Sequence, residues 1–544
     1  MGFLNASWDA RYIDVRRYTR ERAASWFGDR GASASERTLA TLTTLVVATG
    51  LFLRIRGYLF QVPAFWLDEC GWAMMLVEGP LRDFAIRPLG FTLVSQAVGH
   101  VFGLTEPALR ALPWLSGMAT TLLAVPLSRR LFRAPAARLL FVFVLALHPC
   151  AIDFSKEFKP YSTSLLLHLT LLLLTLLYLE TKRARHLSLL LAFAAGGGLF
   201  AQDLLFAYPG VFVVAGLTAL RQTRRQLVAV LATAVAIVLV IATQYLLLWR
   251  YVTRDDVATF AEKYSTFYTP GGSETFARWA FRQALDMASF PGFRRTLWSP
   301  GPVGKDALAL LAGVDQWVWM GLHVAGLVVL VRRKRVEGLL LLLPLCTLWA
   351  FNLLRIWPIG VFRSNIFLLV YMAGIACTAL EHVAVRRPRF LDALPALLLV
   401  FLPLALLDRN WSARKQALTY SSDFPDALKQ LLKLKRANGT ERETLLLDRR
   451  SCDPFRFYSE FHPRVSRRLR GALETEFDAR CIDKDEAFRQ ELDANTPARP
   501  QQVWAILHSD RAVHEAIRSR ALGSGRMRLH AQIGTHIIVA FSQK

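Results

Sequence analysis

Cysteine is scarce and unclustered: the six Cys in 544 residues form no CxxC and no other metal-ligand spacing, so neither thiol chemistry nor a cysteine metal site is implied. No glycine-rich loop of the kind that cradles nucleotide phosphates is present, which argues against a nucleotide-dependent reaction. No internal repeat is visible, as an inverted-repeat transporter would require. Acidic residues are also short, 42 Asp and Glu against 66 Lys and Arg, a formal net charge of +24. Such an excess could mean nucleic acid, but the basic clusters fall mostly between apolar runs, where cytoplasmic loops gather Lys and Arg. Membrane topology explains the charge without a nucleic-acid partner.

Apolar sequence, by contrast, is abundant. The chain is 53% hydrophobic with mean hydropathy +0.30, and many runs reach the length of about 18 residues needed to cross the hydrocarbon. In order, about eleven spans are expected, at 38 to 57, 107 to 128, 136 to 152, 162 to 180, 187 to 202, 204 to 220, 227 to 249, 315 to 331, 337 to 354, 364 to 383 and 390 to 407. Arg129/Arg130/Arg133/Arg138, Lys182/Arg183/Arg185, Arg221/Arg224/Arg225, Arg332/Arg333/Lys334/Arg335 and Arg386/Arg387/Arg389 fall at every second connection, on the side of the basic residues 1 to 37. That pattern predicts a cytoplasmic N-terminus and an external C-terminus.

Residues 1 to 37 carry Arg11, Arg16, Arg17, Arg20, Arg22, Arg30 and Arg37 interleaved with Trp8, Tyr12, Tyr18 and Trp26, which suits either an amphipathic helix on anionic lipid or a disordered tail. A cleavable signal peptide is not expected, because the apolar run starts late, near Leu39, with no clear small-residue cleavage site after it.

The predicted external face collects the unusual chemistry. Ala64-Phe65-Trp66-Leu67-Asp68-Glu69 places two adjacent carboxylates where the chain leaves the first span, an expensive arrangement near hydrocarbon. Asp68 is expected to cap a short helix ended by Gly79-Pro80, and Pro88 to open a second running to about Phe102. The turn 153 to 161 packs Lys156, Glu157, Lys159 and Tyr161 together, and 355 to 363 adds Arg355 and Arg363. External cations run against the charge bias, which suggests an anionic partner; snorkelling to headgroups is the alternative for the lysines. Gln202-Asp203 sits at an external tip and suits sugar hydroxyls or a capped turn. His168, within an apolar run, suits hydrogen-bonded packing or catalysis. The loop 250 to 314 suits a lid or a solvated connection.

These segments resemble a family. The acidic pair after the first span, Arg87-Pro88, Gly103-Leu-Thr-Glu-Pro-Ala-Leu-Arg110, His148-Pro149 with Ser155-Lys-Glu-Phe-Lys-Pro-Tyr-Ser162, and Trp357-Pro-Ile-Gly-Val-Phe-Arg363 look together like the GT-C glycosyltransferases. More narrowly they are similar to the group of the protein O-mannosyltransferases and the lipid A aminoarabinose transferase. One departure is Leu89, where a second Pro often follows the basic-Pro pair.

The resemblance implies a polytopic α-helical membrane enzyme of the inner or plasma membrane that builds cell-envelope glycan. It would move a sugar from a polyprenyl phosphate to an acceptor hydroxyl of a glycan, lipid or protein, on the extracytoplasmic face and with inversion. Asp68 would be the general base, and Glu69 would orient the acceptor or, with Asp68, hold a divalent metal ion; no other cofactor is implied. Arg87, Lys156, Lys159 and Arg363 would converge on the donor phosphate, supported by Glu157, Tyr161, Arg355, Gln202 and Asp203. The rivals are a lipid or glycan transporter or flippase, disfavoured because the ionisable residues gather at one face, and an O-antigen-ligase-type enzyme, which gives the early Asp68-Glu69 pair no role.

The expected catalytic membrane domain runs from 38 to 408. After it, 409 to 544 reads as a small external α/β domain, helical at 424 to 437, 484 to 493 and 511 to 520 and strand-like at 444 to 447, 503 to 507 and 527 to 541. Its role is to guide the acceptor or simply to stabilise. Cys452 and Cys481, alone in that domain, are expected to bridge if it is external; two buried thiols are the alternative.

Overall fold

A computed structural model describes residues 34–59, 64–78, 87–247, 267–268, 275–288, 305–333, 336–360, 364–386, 424–438, 443–463, 465–482, 503–508, 527–533 and 536–541. The basic segment before 34, the span expected at 390 to 407, the helices expected at 484 to 493 and 511 to 520, Arg363 and most of the loop 250 to 314 lie outside the described residues.

The membrane half runs α1 (Ala34–Leu59), α2 (Leu67–Glu78), α3 (Leu89–Phe102), α4 (Glu106–Leu131), α5 (Pro135–Leu147), α6 (Pro149–Asp153), α7 (Tyr161–Thr181), α8 (Ala184–Gly197), α9 (Tyr208–Leu220), α10 (Arg224–Leu247), α11 (Phe276–Ala288), α12 (Lys305–Arg333), α13 (Val336–Leu353) and α14 (Leu368–Arg386). Five of these, α1, α4, α7, α10 and α13, are long and apolar enough to cross a membrane, or six if the bent pair α5–α6 counts as one span. The expectation of about eleven is therefore not met by length and composition among the described residues. The reason is visible at α8 and α9: Gly196-Gly-Gly198 and a 3-10 turn at Gln202–Phe206 divide one apolar stretch into helices of 14 and 13 residues. At 1.5 Å per residue each is only about 20 Å long.

The 48° bend between α5 and the segment from Pro149 has a specific cause. Pro149 has no N–H for the carbonyl of Leu145, four residues back. Arg54 of α1, fully buried, donates instead to the carbonyls of Leu145 (3.4 Å) and Ala146 (2.7 Å), and to Gly50 of its own helix (3.0 Å). The approach requires glycine at 50, where a Cβ would stand 2.8 Å from the Ala146 oxygen.

Beyond the membrane half come α15 (Phe424–Asn438), β1 (Glu443–Asp448), α16 (Arg449–Arg456), a π-helical turn (Phe457–Phe461), α17 (Ser466–Glu476), β2 (Phe477–Ile482), β3 (Val503–His508), β4 (Met527–Ile533) and β5 (His536–Phe541). They form one sheet in the order β2-β1-β3-β5-β4, with β1 parallel to β2 and β3 and the remaining pairs antiparallel. Central strands read as continuous apolar runs, as Leu445-Leu-Leu447 of β1, parallel to both neighbours, and Trp504-Ala-Ile506 of β3, between parallel β1 and antiparallel β5, do, all buried. Cys452 of α16 and Cys481 of β2 are bridged, with Cα atoms 5.6 Å apart.

Two hydrophobic cores result. One lies among the membrane helices, from Leu39 to Ala384. The other joins Phe65, Cys70, Ala73, Met74, Leu76, Phe91, Leu109 and Phe158 to the C-terminal sheet and its helices through Phe424, Leu445, Phe457, Tyr458 and Trp504. The segment carrying Asp68-Glu69 is thus packed into the second core.

Candidate active site

The site begins with the entry into α2. Trp66 occupies the N-cap position, and Glu69, three residues on, reaches back so that its Oε2 accepts the Trp66 N–H at 3.3 Å, the reciprocal half of a capping box. The cap expected from Asp68 is supplied by Glu69. Asp68 instead lies in the first turn with its side chain exposed, where a carboxylate is favoured by the helix dipole.

Glu69 is 0% exposed and fully engaged. Arg110 of α4 grips it bidentately, Nε to Oε1 at 2.9 Å and Nη2 to Oε2 at 2.5 Å, and the Phe158 N–H donates to Oε1 at 2.5 Å. With the Trp66 bond these fill the four lone-pair sites of a carboxylate. In this arrangement protein donors take all four sites, so the expected role of Glu69, orienting an acceptor or holding a metal ion, would require one of these bonds to open. Among the described residues no three His, Cys, Asp or Glu side chains gather where an ion could sit.

Beside Asp68 lie two cations on one indole. Lys159, 4% exposed, donates from Nζ to the Asp68 carbonyl at 3.2 Å and sits 4.4 Å from the centre of the Trp72 ring and 5.7 Å from that of Trp66. Arg87 places its guanidinium 4.1 Å from the Trp72 ring centre, within cation–π range. Burial drives the Lys159 ammonium down from its usual 10.5 to about 7; Asp68 opposes the shift, Arg87 adds to it, and Glu69 and Glu157 oppose it. A partly discharged lysine beside a guanidinium is an environment that an arriving anion improves.

The other expected residues are distributed as follows. Lys156 pairs with Asp153 at 3.6 Å and lies across Gly57 of α1. Glu157 is half-buried, and its carbonyl accepts the Lys159 N–H at 2.8 Å. Tyr161 packs its ring on Phe154, centroids 5.1 Å apart. Arg355 is exposed just past the end of α13, with φ +57° and its N–H on the Asn352 carbonyl. Of the four cations expected to converge, the described residues therefore bring Arg87 and Lys159 together around Trp72, while Lys156 is turned to α1 and Asp153.

Gln202 and Asp203 open the 3-10 turn, and Asp203 belongs to a second polar cluster. Ser164 donates to its Oδ2, and its Oδ1 lies 3.5 Å from Nε2 of His168. Nδ1 of His168 shares a hydrogen bond with the Tyr371 hydroxyl at 2.9 Å, and its ring stacks on Phe367. The hydrogen-bonded packing reading of His168 describes this geometry.

The turn 355 to 360 is pinned from several sides. Asn352 Nδ2 donates to the carbonyls of Trp357 and Phe267, Trp357 Nε1 donates to Asn365, and Trp357 meets Phe206 of the 3-10 turn edge-on at 5.4 Å. Gly360 has φ +86°, and a Cβ there would lie 2.7 Å from Gln283, so glycine is required on two counts.

Four residues of this layer had no assigned role from sequence: Trp72, Arg110, Tyr458 and His462. Only Arg110 carried a usable signal, one helical turn beyond Glu106 in a motif already singled out.

No protein-family description matches this sequence, and no curated protein matches it either. Among solved structures the chain is similar to ArnT from Cupriavidus metallidurans, in the apo state and bound to undecaprenyl phosphate, each at 13% identity and TM-score 0.45 over 91% of this chain and 97% of that one. It is also similar to the Archaeoglobus fulgidus oligosaccharyltransferase tethered to an acceptor peptide, at 12% identity and TM-score 0.40 over 86% of this chain and 69% of that one. At this level of likeness the functional reading rests on the residues of the site.

Proposed function

We propose that this protein is a membrane glycosyltransferase that moves a sugar from a polyprenyl-phosphate donor to an acceptor hydroxyl, with Asp68 as general base. The observation that carries the proposal is the juxtaposition of an exposed carboxylate, Asp68, with Lys159 and Arg87 on one indole. In the proposed step Asp68 takes the acceptor proton as the oxygen forms its bond to the anomeric carbon. The bond from that carbon to the phosphate oxygen breaks with its electron pair, and configuration inverts. Protonated Lys159 and Arg87 receive the negative charge that grows on the departing phosphate. Arg363 is proposed as a further cation for that phosphate, and the apolar helices beside the site let a lipid-linked donor enter from the bilayer. The site faces outward in the topology with a cytoplasmic N-terminus.

A transporter reading draws on one observation, the buried His168–Asp203 pair, since ionisable groups inside a helix bundle often mark a transport path. One assay separates the two. Purified protein is given a panel of labelled polyprenyl-phosphate sugars and acceptors; transfer of label to acceptor is expected, and Asp68→Asn should lower it at least about 100-fold. Near-normal transfer by folded Asp68→Asn would remove Asp68 from the mechanism, and translocation of the lipid without transfer would favour the transporter.

A further inference from the structure

The C-terminal domain reaches into the site through the π-helical turn. The Tyr458 hydroxyl, buried, accepts the Phe65 N–H at 2.6 Å and donates to Oε1 of Glu106 at 2.9 Å. Nδ1 of His462 accepts the Val465 N–H at 3.2 Å, which leaves Nε2 as the donor to Oε2 of Glu106 at 3.0 Å. The wide turn is closed by the His462 N–H on the Phe457 carbonyl at 2.8 Å, and it turns both side chains onto the one carboxylate. π-helical turns are rare and are frequently found at functional sites.

Glu106 is the first residue of α4, and Arg110, one turn later on the same helix, holds Glu69. Two routes therefore lead from the C-terminal domain to the segment that carries Asp68. One is direct, from Tyr458 to the Phe65 backbone; the other passes through Glu106, α4 and Arg110 to Glu69. The aromatic packing follows the same path, with Phe65 5.3 Å from Phe457 and 6.1 Å from Phe158. Burial, with Cys70 and Glu106 adding to it, raises Tyr458 well above the usual phenol value, so its hydroxyl stays a donor at any working pH.

We infer that Tyr458 and His462 are positioning residues for Asp68: the C-terminal domain is a latch that fixes the backbone at 65 to 69 and so sets where the base stands. The inference rests on the reading of Asp68 as the base. It gives the C-terminal domain a part in the reaction beyond stabilising the chain or receiving an acceptor, while neither latch residue touches substrate.

The test uses the full-length protein in detergent and two variants, Tyr458→Phe, which deletes the hydroxyl, and His462→Gln, whose amide can still donate to Glu106. Hydrogen exchange at the amides of residues 65 to 69 is the first readout. Tyr458→Phe should speed it at least about tenfold, with exchange in the middle of α7 unchanged and His462→Gln close to the parent. The second readout is turnover of the labelled donor together with binding of undecaprenyl phosphate. Tyr458→Phe should lower kcat about 10- to 100-fold and change undecaprenyl phosphate affinity far less, because Arg87 and Lys159 keep their seat on Trp72, outside the segment 65 to 69. In an Asp68→Asn background the same change should slow the enzyme no further.

Unchanged exchange at 65 to 69 overturns the latch, and so does faster exchange with normal kcat. An additive loss in the Asp68→Asn background shows that Tyr458 acts by some route other than Asp68. Should Tyr458→Phe not fold, His462→Ala set against His462→Gln gives the same comparison, and equal behaviour of those two overturns the inference. Full activity of Asp68→Asn is a different failure, that of the catalytic reading itself, and is recognised without any latch variant.

Discussion

Two buried carboxylates, Glu69 in the outer layer and Asp203 within the helix bundle, show how differently this chain treats the same group. Glu69 accepts four hydrogen bonds, two of them from Arg110, and no lone pair is left over. Asp203 has the Ser164 hydroxyl on one oxygen, while its other oxygen faces Nε2 of His168 at 3.5 Å; neither of those facing atoms has a hydrogen-bond partner among the described residues. A saturated carboxylate is scaffolding, since nothing more can bind without breaking what is there. The adjacent Asp68 is held in place by that scaffold and keeps its own side chain exposed. Adjacent residues in sequence thus divide the labour, Glu69 setting the geometry and Asp68 remaining available for chemistry.

That contrast is sharpest in stability. Glu69→Ala strands the buried Arg110 guanidinium and should destabilise the folded protein by about 3–5 kcal/mol. Asp203→Asn keeps the Ser164 bond and should cost only about 1 kcal/mol. Thermal unfolding of the purified proteins measures both, and equal losses would break the distinction between the two carboxylates. Within the outer layer the bridge between Cys452 and Cys481 closes a loop of 29 residues, worth about 3 kcal/mol. Replacing both with Ser should therefore lower the unfolding midpoint of the C-terminal domain and leave the membrane bundle as it was, and alkylation of intact denatured protein without reductant should find neither thiol. Two freely alkylated thiols would refute the bridge.

Much of the bundle was legible in the sequence, because a run of about 18 apolar residues has few other uses; α1, α4, α7, α10 and α13 lie where such runs predict them. Fewer of the described helices reach the length of a span than the sequence predicts, and at α8 and α9 the reason is that hydropathy cannot distinguish a span from two short helices meeting at glycines. The helix α11 lay hidden in a long connection, although Trp279, Gln283 and Met287 bury one face at intervals of four. The strand β2 was also missed, and there Phe477-Asp-Ala-Arg-Cys-Ile alternates apolar and polar as a strand should. For the site, the acidic pair and the basic turn were visible as anomalies of charge. The division between Asp68 and Glu69 was not, because it depends on Arg110, 41 residues away. Trp72 as a common seat for Arg87 and Lys159, and Tyr458 and His462 as partners of Glu106, involve contacts between distant segments that leave no local pattern.

The smallest expected effect concerns Lys159 and turns on the sign of its titration. In the unfolded chain this lysine holds its proton up to about pH 10.5, whereas in the folded protein it gives the proton up at about 7. Between those values the unfolded state binds more protons, so Lys159 makes the ligand-free protein more stable as pH rises from 7 toward 10.5, and the full cost of burying its charge is felt below 7. Anion binding runs the opposite way, because only the protonated lysine attracts a phosphate. The affinity for undecaprenyl phosphate should fall about tenfold between pH 7 and 9, the worth of one charge-assisted contact, in a range where a phosphate monoester has already completed its own second ionisation near pH 6. Lys159→Arg keeps its charge throughout and should flatten the profile while binding well; Lys159→Met should flatten it at the weaker level. An unchanged slope in both variants, measured by titration of the lipid phosphate into purified protein, would show that Lys159 does not face the anion and would leave Arg87 as the cation of the pair that does.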